Sequence, residues 1–262
     1  MNTILADYEG EQRAFGALLE PDCRERILLL RGESGSGKTT LLTACLERVP
    51  QALPCIPIQL RGSAVGVAEI FNRTGSRVGW ERLPHFTKQV AALQEAPRIQ
   101  IDSNWLAGIN NRIDVALHVE NLADREQRRV LLTDAWFRDL QAFNSPLLVA
   151  LDNYEQTATE VAEWIDGPFL ARVAESPSVR ALVAGQKVPD VPNIEWGHCC
   201  TLYELHGVPE AKYWLPVVKA MQRHILAPDP LSWLAGVCYI LKGNPKEIMQ
   251  VIEGLPRREG AV

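Results

Sequence analysis

Residues 32–39 have the sequence Gly-Glu-Ser-Gly-Ser-Gly-Lys-Thr, which matches the phosphate-binding pattern G-x-x-x-x-G-K-[ST] in full. The apolar residues 27–30 precede this segment, and the helix-like residues 40–46 follow it. The pattern requires this order of strand, loop and helix, because backbone N–H groups and the helix N-terminus must converge on a phosphate. The segment therefore predicts a P-loop within an α/β nucleotide-binding domain.

The chemistry of a P-loop assigns a role to each of its side chains. Lys38 is expected to neutralise the β- and γ-phosphates, and Thr39 to hold Mg²⁺ through its hydroxyl group. The loop residues expected to bind the nucleotide are Gly32, Ser34, Gly35, Ser36, Gly37, Lys38, Thr39 and Thr40. The alternative is a glycine-rich turn that binds nothing. The predicted ligands are ATP or ADP together with Mg²⁺.

A second motif lies at residues 146–156, Pro-Leu-Leu-Val-Ala-Leu-Asp-Asn-Tyr-Glu-Gln. An unbroken apolar run that ends in an acid is typical of the Walker B strand of a buried parallel sheet. Because ligands gather at the carboxyl ends of such strands, Asp152 is expected to face Thr39 across the metal ion. The alternative is a strand that ends in a helix-capping aspartate.

Three further segments have the composition of strands. Residues 54–60 contain two prolines, which favours an edge position in the sheet. Residues 179–184 are expected to form a strand that ends at Gly185 and Gln186. A fifth strand is expected near residues 199–203. Gln186 would lie between the two Walker strands, where it could sense the γ-phosphate or the attacking water. An ordinary glycine-containing turn is the alternative.

Helical patterns occupy most of the remaining chain. Residues 7–19, 123–143 and 157–173 are expected to be helical, and residues 123–143 carry apolar residues on one side. These apolar residues are Val130, Leu131, Leu132, Ala135, Trp136 and Leu140. The region 61–144 is the hardest to interpret. Within it, residues 65–71 and 86–93 resemble helices, whereas 98–102 and 112–118 are compatible with short strands or an irregular insert.

From residue 206 onward, the sequence predicts helices without strands, at residues 210–223, 231–241 and 245–253. The last boundary has the residues of a helix end followed by a new helix start: Gly243 ends one helix, and Asn244, Pro245 and Glu247 cap the next. A purely structural role in separating two helices would explain this pattern equally well. We therefore expect a nucleotide-binding domain at residues 1–205 and a small helical lid at residues 206–262.

Composition limits the classes of function. The chain has 262 residues, 47% of them hydrophobic, which suffices for one large α/β domain. Its six cysteines do not have the spacing of a metal site. The sequence contains no targeting segment and no apolar run long enough to cross a membrane, so we expect a cytoplasmic protein. The net charge of −5 argues against nucleic acid as the main partner. The densest basic group, Arg125, Arg128 and Arg129, is interleaved with acids and predicts a solvated helix face, with a site for a phosphate backbone as the alternative.

Taken together, these motifs resemble the STAND class of P-loop signalling ATPases, which are relatives of the AAA+ proteins. Residues 147–156 resemble the Walker B segment of that class, residues 180–186 resemble its sensor strand, and Gly243-Asn244-Pro245 resembles the Gly-x-Pro of its lid. The resemblance covers residues 8–254, although residues 61–144 match no general motif.

The resemblance implies a sheet of five parallel strands in the order 5-1-4-3-2, with the strand at Cys55 on the edge. It also implies a nucleotide switch, in which ADP holds a closed monomer and exchange for ATP permits assembly with effector domains, often in bacterial defence or regulation. Pro245 of the lid would approach the adenine, and Tyr8 would flank it. Effector and sensor would then belong to separate chains or to other parts of a longer protein.

The chain departs from the pattern of the family at several positions. The Gly-Arg near the amino end is Gly10-Glu11 here, the sensor arginine is Gln186, and Asn153 replaces the glutamate that AAA+ enzymes use to activate water. No arginine lies in residues 186–200, where a ring ATPase carries a trans-acting finger, although Lys187 or Arg223 could substitute. These departures predict slow hydrolysis, because losing a general base typically costs about 10²–10⁴ in rate.

The sequence therefore predicts an ATP-binding switch and a slow, Mg²⁺-dependent ATPase. The residues expected to act in hydrolysis are Lys38, Asp152, Glu155 and Gln186, with Glu155 or Gln186 positioning the water. The partner would be a second copy of the chain or a separate effector or sensor protein. One alternative is a nucleotide-binding scaffold without hydrolysis, which Asn153 favours. Another is an AAA+-like oligomeric regulator that acts on DNA, with Lys246 in the sensor-2 position, and a small-molecule kinase is more distant.

Overall fold

A five-stranded parallel sheet forms the centre of the protein. The computed structural model describes residues 3–61, 65–94, 105–106 and 108–257. The strands are β1 (Ile27–Gly32), β2 (Cys55–Gln59), β3 (Leu147–Asp152), β4 (Val179–Gly185) and β5 (Cys200–Leu205). Every pair of neighbours is parallel, and the order β2-β3-β4-β1-β5 is the predicted order seen from the other edge. The predicted fold class is therefore confirmed.

Burial distinguishes the central strands from the edges. Every residue of β3 and β4 is buried, whereas β2 and β5 are partly exposed. Pro57 lies on β2, which pairs only with β3 among the described strands. It faces solvent, as expected for a residue that has no N–H to donate to a second neighbour.

Alternate side chains of the strands enter two hydrophobic layers on opposite faces of the sheet. Leu29, Val149 and Val183 belong to the first layer, and Leu30 and Ala150 belong to the second. The first layer contains helices α3 (Val67–Val78), α4 (Pro84–Leu93), α5 (Ile109–Leu117), α6 (Leu122–Leu140), α7 (Thr159–Trp164) and α8 (Leu170–Glu175). A π-helical stretch, Ile165–Phe169, joins α7 to α8 around Pro168.

The described part of the region between β2 and β3 consists of helices and the loops that join them, and it contains no strand. The suggestion of a strand at residues 112–118 was wrong, because residues 112–117 belong to α5 and His118 is the residue that follows its end. Ile109, Ile113 and Ala116 recur at helical spacing in α5, and all three are buried. The other segment with two interpretations, residues 98–102, lies outside the described residues.

Helix α6 confirms the helix predicted at residues 123–143, but the side of the helix that is buried differs from the predicted apolar side. Leu132, Trp136 and Leu140 are buried, whereas Val130 and Leu131 are exposed. The difference arises because the core forms around aromatic rings packed on Trp136. These rings are Phe71, Phe137, Trp164 and Phe169.

The basic group of α6 is not a fully solvated face, and in this respect the sequence-based prediction was wrong. Arg129 is buried and forms ion pairs with Glu126 and Glu160. Arg128 donates hydrogen bonds to the carbonyl oxygens of Leu93 and Ala116, near the ends of α4 and α5. These arginines therefore hold neighbouring helices together.

The second layer contains α1 (Glu9–Leu18), α2 (Lys38–Glu47), α9 (Ala211–Ala220), α10 (Pro230–Ile240) and α11 (Pro245–Glu253). The start of α11 follows the predicted capping chemistry. Pro245 occupies its first turn, and the side chain of Asn244 accepts hydrogen bonds from the N–H groups of Lys246 and Glu247. Among the residues that the structure describes, no helix combines the length and apolar character needed to cross a membrane.

A buried arginine attaches α1 to the sheet. Arg180 of β4 is fully buried, and its guanidinium donates to the carbonyl oxygens of Leu18, Glu20 and Pro21 at the end of α1. Burial lowers the pKa of Arg180 to about 10. The opposite end of α1 begins after Tyr8, so this anchor fixes the helix that brings Tyr8 to the P-loop.

Candidate nucleotide-binding site

A cavity of about 550 Å³ lies at the carboxyl ends of β1, β3 and β4. Its volume lies within the range of small-molecule sites, which is about 300–1,000 Å³. The predicted site residues that line it are Tyr8, Ser34, Gly35, Gly37, Lys38, Thr39, Thr40, Glu155, Gln186 and Pro245. The structure thus brings together residues from both ends of the chain, although their roles in nucleotide binding remain predictions.

The backbone of the P-loop has the shape that an anion requires. Gly35 and Gly37 have φ angles of 83° and 86°, a left-handed conformation that side chains rarely adopt. Gly37 precedes the first residue of α2, and no side chain caps this helix. The N–H groups of the first turn of α2 are therefore available to a phosphate, and the helix dipole favours negative charge there.

The ammonium group of Lys38 lies against the P-loop itself. Its Nζ donates to the carbonyl oxygens of Gly32 and Glu33, at 2.6 Å and 2.8 Å. Burial lowers the pKa of Lys38 below its usual value, while the carboxylates of Glu155 and Asp152 act in the opposite direction. A phosphate bound at this position would stabilise the charged form of the lysine.

Thr39 and Asp152 form the candidate metal site. The Thr39 hydroxyl donates to Oδ2 of Asp152 at 3.2 Å, and Oδ1 of Asp152 accepts from the N–H of Asn153 at 2.9 Å. Asp152 is buried, so this network fixes its carboxylate. A hydroxyl and a carboxylate are oxygen ligands of the kind that Mg²⁺ prefers, and they fit the predicted ion. Among the described residues, no cluster of three or more His, Cys, Asp or Glu side chains forms a metal site.

Glu155 and Gln186, either of which was expected to position the water, lie next to each other. The backbone N–H of Gln186 donates to Oε2 of Glu155 at 2.8 Å. Glu155 belongs to a 3₁₀ turn, Tyr154–Gln156, which follows β3 directly, whereas Gln186 follows β4. The carboxylate of Glu155 is therefore held between the ends of two central strands.

Tyr8 and Pro245 approach the P-loop from opposite ends of the chain. The Tyr8 hydroxyl donates to the carbonyl oxygen of Ser36 at 2.6 Å, and burial raises the pKa of Tyr8 above its usual value. A Cβ on Gly37 would lie 3.3 Å from the Tyr8 hydroxyl and 3.7 Å from Cβ of Pro245. A side chain at position 37 would therefore crowd the Tyr8 hydroxyl slightly, and the φ of 86° favours glycine there in any case.

The helix α11 also contacts the P-loop directly. The N–H of Lys246 donates to the carbonyl oxygen of Gly35 at 3.2 Å. A Cβ on Gly35 would lie only 2.7 Å from Oδ1 of Asn244, the atom that caps α11. The loop that is expected to hold phosphates is therefore packed against the start of the last described helix.

The sequence-based prediction missed Arg61, which also lines the cavity. Its guanidinium donates to Oδ1 of Asn153 at 3.3 Å. Asn153 has a φ of 62°, a left-handed conformation that asparagine tolerates better than most residues, and is 7% exposed. The signal for Arg61 was its position just after β2, because polar residues at the carboxyl ends of parallel strands gather at ligand sites.

The cavity wall also contains apolar residues that the sequence-based prediction missed. The apolar residues there are Ile4, Leu5, Ala6, Val208, Trp214 and Met249. Gln250 and Glu253 of α11 add polar groups to the wall. These residues come from three distant parts of the chain, so no local pattern could have identified them.

Comparisons with known proteins agree with the fold. No protein-family model matches the chain. A segment of 91 residues is 34% identical to the hydrogenase maturation factor HypB of Escherichia coli strain K12. This segment covers 34% of the chain and 31% of HypB, so the chain matches only about a third of that relative's length.

Among solved structures, the Walker-type ATPase PABY2304 of Pyrococcus abyssi superposes with a TM-score of 0.53 and 15% identity, over 96% of this chain and 69% of that one. The ORC1 protein of Aeropyrum pernix, solved in complex with DNA, has a TM-score of 0.49 and 12% identity, over 95% and 59% of the two chains. The likeness to the P. abyssi ATPase supports the P-loop NTPase fold. The STAND class itself remains a prediction.

Proposed function

We propose that this protein is an ATP-binding molecular switch of the STAND type, with slow Mg²⁺-dependent hydrolysis, that controls a partner effector in signalling or defence. The observation that carries the proposal is the direct packing of α11 on the P-loop. Asn244, Pro245 and Lys246 contact Gly35 and Gly37, the residues whose backbone would surround the phosphates. Nucleotide bound at the loop and the position of the lid therefore influence each other.

Binding of the nucleotide would use groups that already converge on the cavity. The N-terminus of α2 and the Lys38 ammonium attract the phosphates, and the apolar residues of the cavity wall accommodate the base. Thr39 and Asp152 would hold Mg²⁺, which neutralises charge on the β- and γ-phosphates when it is bound. In this arrangement Tyr8 and Pro245 flank the nucleotide.

Slow hydrolysis follows from the residues near the predicted γ-phosphate position. Asn153 cannot take a proton from water, so general-base catalysis falls to Glu155. The carboxylate of Glu155 accepts a hydrogen bond from the N–H of Gln186, which fixes its position and leaves it a second oxygen. An enzyme that uses this displaced carboxylate would retain each ATP long enough to serve as a timer.

The switch itself would be the movement of a lid, residues 206–262, relative to a nucleotide-binding domain, residues 1–205. A different arrangement of the lid under ADP and ATP would expose or cover a surface for a second copy or a separate effector chain. Allosteric coupling of this kind typically amounts to about 1–3 kcal/mol. This range corresponds to a change in partner affinity of about 5- to 150-fold.

A second candidate function is a scaffold that binds ATP without hydrolysing it. The surroundings of Asn153 favour it, because the residue is buried, left-handed and bound to Arg61. Each of these features is typical of an asparagine that stabilises the fold and takes no part in hydrolysis. Assembly would then depend only on the exchange of bound ADP for ATP, because the protein would not convert one into the other.

Single-turnover hydrolysis separates the two functions. Protein in excess over labelled ATP is incubated with Mg²⁺, and bound ATP and ADP are measured over time, with Lys38→Ala as the control for binding. We expect slow conversion to ADP and a change in molar mass, or in copurified partners, between the ADP and ATP forms. Persistent bound ATP would establish the scaffold instead. Absence of nucleotide binding in the unmodified protein would refute both functions.

A further inference from the structure

Helix α10 carries apolar side chains on its exposed side. Its 11 residues, Pro230–Ile240, include no charged side chain. Leu234 and Cys238 are buried in the second hydrophobic layer, whereas on the other side of the helix Tyr239 is 86% exposed, Ile240 75% and Leu231 46%. A helix that is apolar all round is normally buried on all sides. The exposed side of α10 is therefore a candidate surface for a partner.

The exposed residues of this helix form one surface, the α10 face, which consists of Leu231, Ser232, Ala235, Gly236, Tyr239 and Ile240. Its two small residues, at positions 235 and 236, form the central pair. Leu231 and Ile240 each lie four residues from the nearer member of this pair, and Ser232 and Tyr239 each lie three residues away. Because successive residues of a helix are rotated by about 100°, the members of each couple also lie at equal angles on either side of the midline. The face therefore has apolar residues at equal distances from a centre that permits close approach.

Charges of opposite sign lie beyond the two ends of the α10 face. Asp229 and Lys242 are exposed, and each lies six residues from the central pair. Neither forms an ion pair within the described part of the chain. The carboxylate of Asp229 caps α10 by accepting from the N–H groups of Leu231 and Ser232, which fixes its position. The face is therefore acidic at its start and basic at its end.

We propose that the α10 face binds the α10 face of a second copy of this chain, with the two helices antiparallel about a two-fold axis. In this arrangement Leu231 lies against Ile240 of the second copy, and Tyr239 lies over Ser232 of the second copy. The axis passes between the two central pairs and repeats every contact, as in other isologous interfaces. Small residues at the crossing allow the helix axes to approach to about 8 Å, the close end of the usual range.

The charges select both a second copy and the antiparallel orientation. In the antiparallel pair Asp229 meets Lys242 of the second copy, and the two-fold axis repeats this contact. A parallel pair would bring Asp229 beside Asp229 and Lys242 beside Lys242, which like charges disfavour. A different protein would need an exposed apolar helix with its charges at the same spacing and in the reverse order. This chain itself provides that combination.

A short connection joins the α10 face to the nucleotide cavity. Residues 241–244 lead from α10 into α11, whose start contacts Gly35 of the P-loop. The N–H of Gly243 donates to the carbonyl oxygen of Cys238 at 2.8 Å, and the carbonyl oxygen of Gly243 accepts from the N–H of Val208 at 2.7 Å. These bonds hold the connection in place. The pairing depends on α10 alone, whereas its use as the assembly surface of the switch rests on the proposed function.

Sedimentation equilibrium of the full chain without nucleotide, over protein concentrations that span the micromolar range, measures the pairing. We expect a reversible dimer with a Kd of about 1–100 µM, because one helix pair buries less area than a standard interface of about 1,600 Å². Tyr239→Ser should raise this Kd by about 10-fold or more, since each dimer loses two aromatic contacts.

Gly236→Glu tests whether the centre of the face is buried in the dimer. A Cβ on Gly236 would meet no atom within 4 Å, so the single chain tolerates a side chain there. In the dimer two carboxylates would face each other near the axis, and we expect no dimer in the same concentration range. Gly16→Glu is the matched control, because Gly16 of α1 is exposed, has equally open surroundings and lies outside the α10 face. It should dimerise as the unmodified protein does.

A reversal of sign tests the contact between Asp229 and Lys242 of the second copy. Asp229→Asn keeps the cap of α10, because asparagine is as good an N-cap as aspartate, and removes the charge. Alone, this change should raise the Kd of the dimer by about 2- to 10-fold. Lys242→Glu places acids together and should also raise the Kd. Adding Asp229→Asn to Lys242→Glu removes that repulsion, so it should lower the Kd in this background.

Any one of three outcomes would overturn the proposal. The first is a monomer throughout the concentration range, which would leave the α10 face to a separate chain. The second is a dimer that Gly236→Glu and Tyr239→Ser leave intact. The third is an effect of Asp229→Asn that has the same sign in the unmodified protein and in Lys242→Glu. The measurement contains no nucleotide, and Lys38→Ala should dimerise like the unmodified protein, so a failure of nucleotide binding would leave this result unchanged.

Discussion

Replacement of Arg61 tests whether its charge acts on the third phosphate of ATP. Arg61, Lys38 and Lys246 are the cations that line the nucleotide cavity among the described residues. The guanidinium lies beside Asn153, which directly follows the candidate metal ligand Asp152. This position is on the side of the β- and γ-phosphates. Arg61→Met keeps an unbranched, flexible side chain and removes the guanidinium group with its charge and hydrogen bonds.

The size of the expected effect follows from Coulomb's law. Two unit charges about 4 Å apart attract by about 1 kcal/mol in water and by about 4 kcal/mol at an effective dielectric constant of about 20. Because Arg61 is exposed, the lower part of this range applies. A loss of about 1–2 kcal/mol corresponds to about a 5- to 30-fold increase in the Kd for ATP. The Kd for ADP should change by less than about 2-fold, since ADP lacks the third phosphate.

Calorimetric titration with Mg²⁺-ATP and Mg²⁺-ADP at low and high salt measures both constants. The difference between the variant and the unmodified protein should shrink as salt screens the charge. Arg172→Met is the control, because Arg172 forms an ion pair with Asp134 and lines neither the nucleotide cavity nor the cavity that Arg61 shares with Thr39 and Asp152. An equal loss of affinity for ATP and ADP, or no loss for either, would refute the assignment of Arg61 to the third phosphate.

Three further predictions concern the same site. Lys38→Ala should abolish tight binding of ATP and ADP in the same titration, and unchanged affinity would contradict the P-loop assignment. Burial lowers the pKa of Lys38, so its ammonium group loses its charge at a pH below the usual lysine pKa, and the Kd for ATP should begin to rise there. The side chain of Lys38→Met is uncharged at every pH, so this variant should show no such rise. Tyr8→Phe leaves the carbonyl oxygen of Ser36 without its donor, and should lower the free energy of unfolding by about 1–3 kcal/mol in urea titrations; an unchanged midpoint would exclude the contact.

The sheet was predictable from the sequence because its determinants are local. The glycines of the P-loop and the acid that ends β3 each lie next to an apolar run long enough for a buried strand. The prolines of residues 54–60 correctly indicated an edge strand. The capping residues Asn244 and Pro245 located the start of α11 to the residue. In each case the physical cause lies within a few residues of its effect.

The rest of the site depends on contacts that no local pattern encodes. Arg61 meets Asn153 because β2 and β3 are neighbours, and Tyr8 meets Ser36 because Arg180 anchors the far end of α1. The helices between β2 and β3 were difficult for a related reason. The packing of aromatic rings around Trp136 decides which side of each helix is buried. Val130 and Leu131 therefore face solvent, although they are apolar and were expected on the buried side.

The contact between Asn244 and Gly35 suggests how strongly the nucleotide and the lid are coupled. Oδ1 of Asn244 caps α11 and also lies against the position where Gly35 would carry a Cβ. A side chain at position 35, or a movement of the loop towards α11, would therefore displace the atom that caps the helix. Loss of such a cap costs about 0.5–2 kcal/mol, which amounts to a coupling of about 2- to 30-fold between loop and lid. This value falls within the range of known allosteric couplings, so the proposed switch would need no larger contact than the one that Asn244 makes.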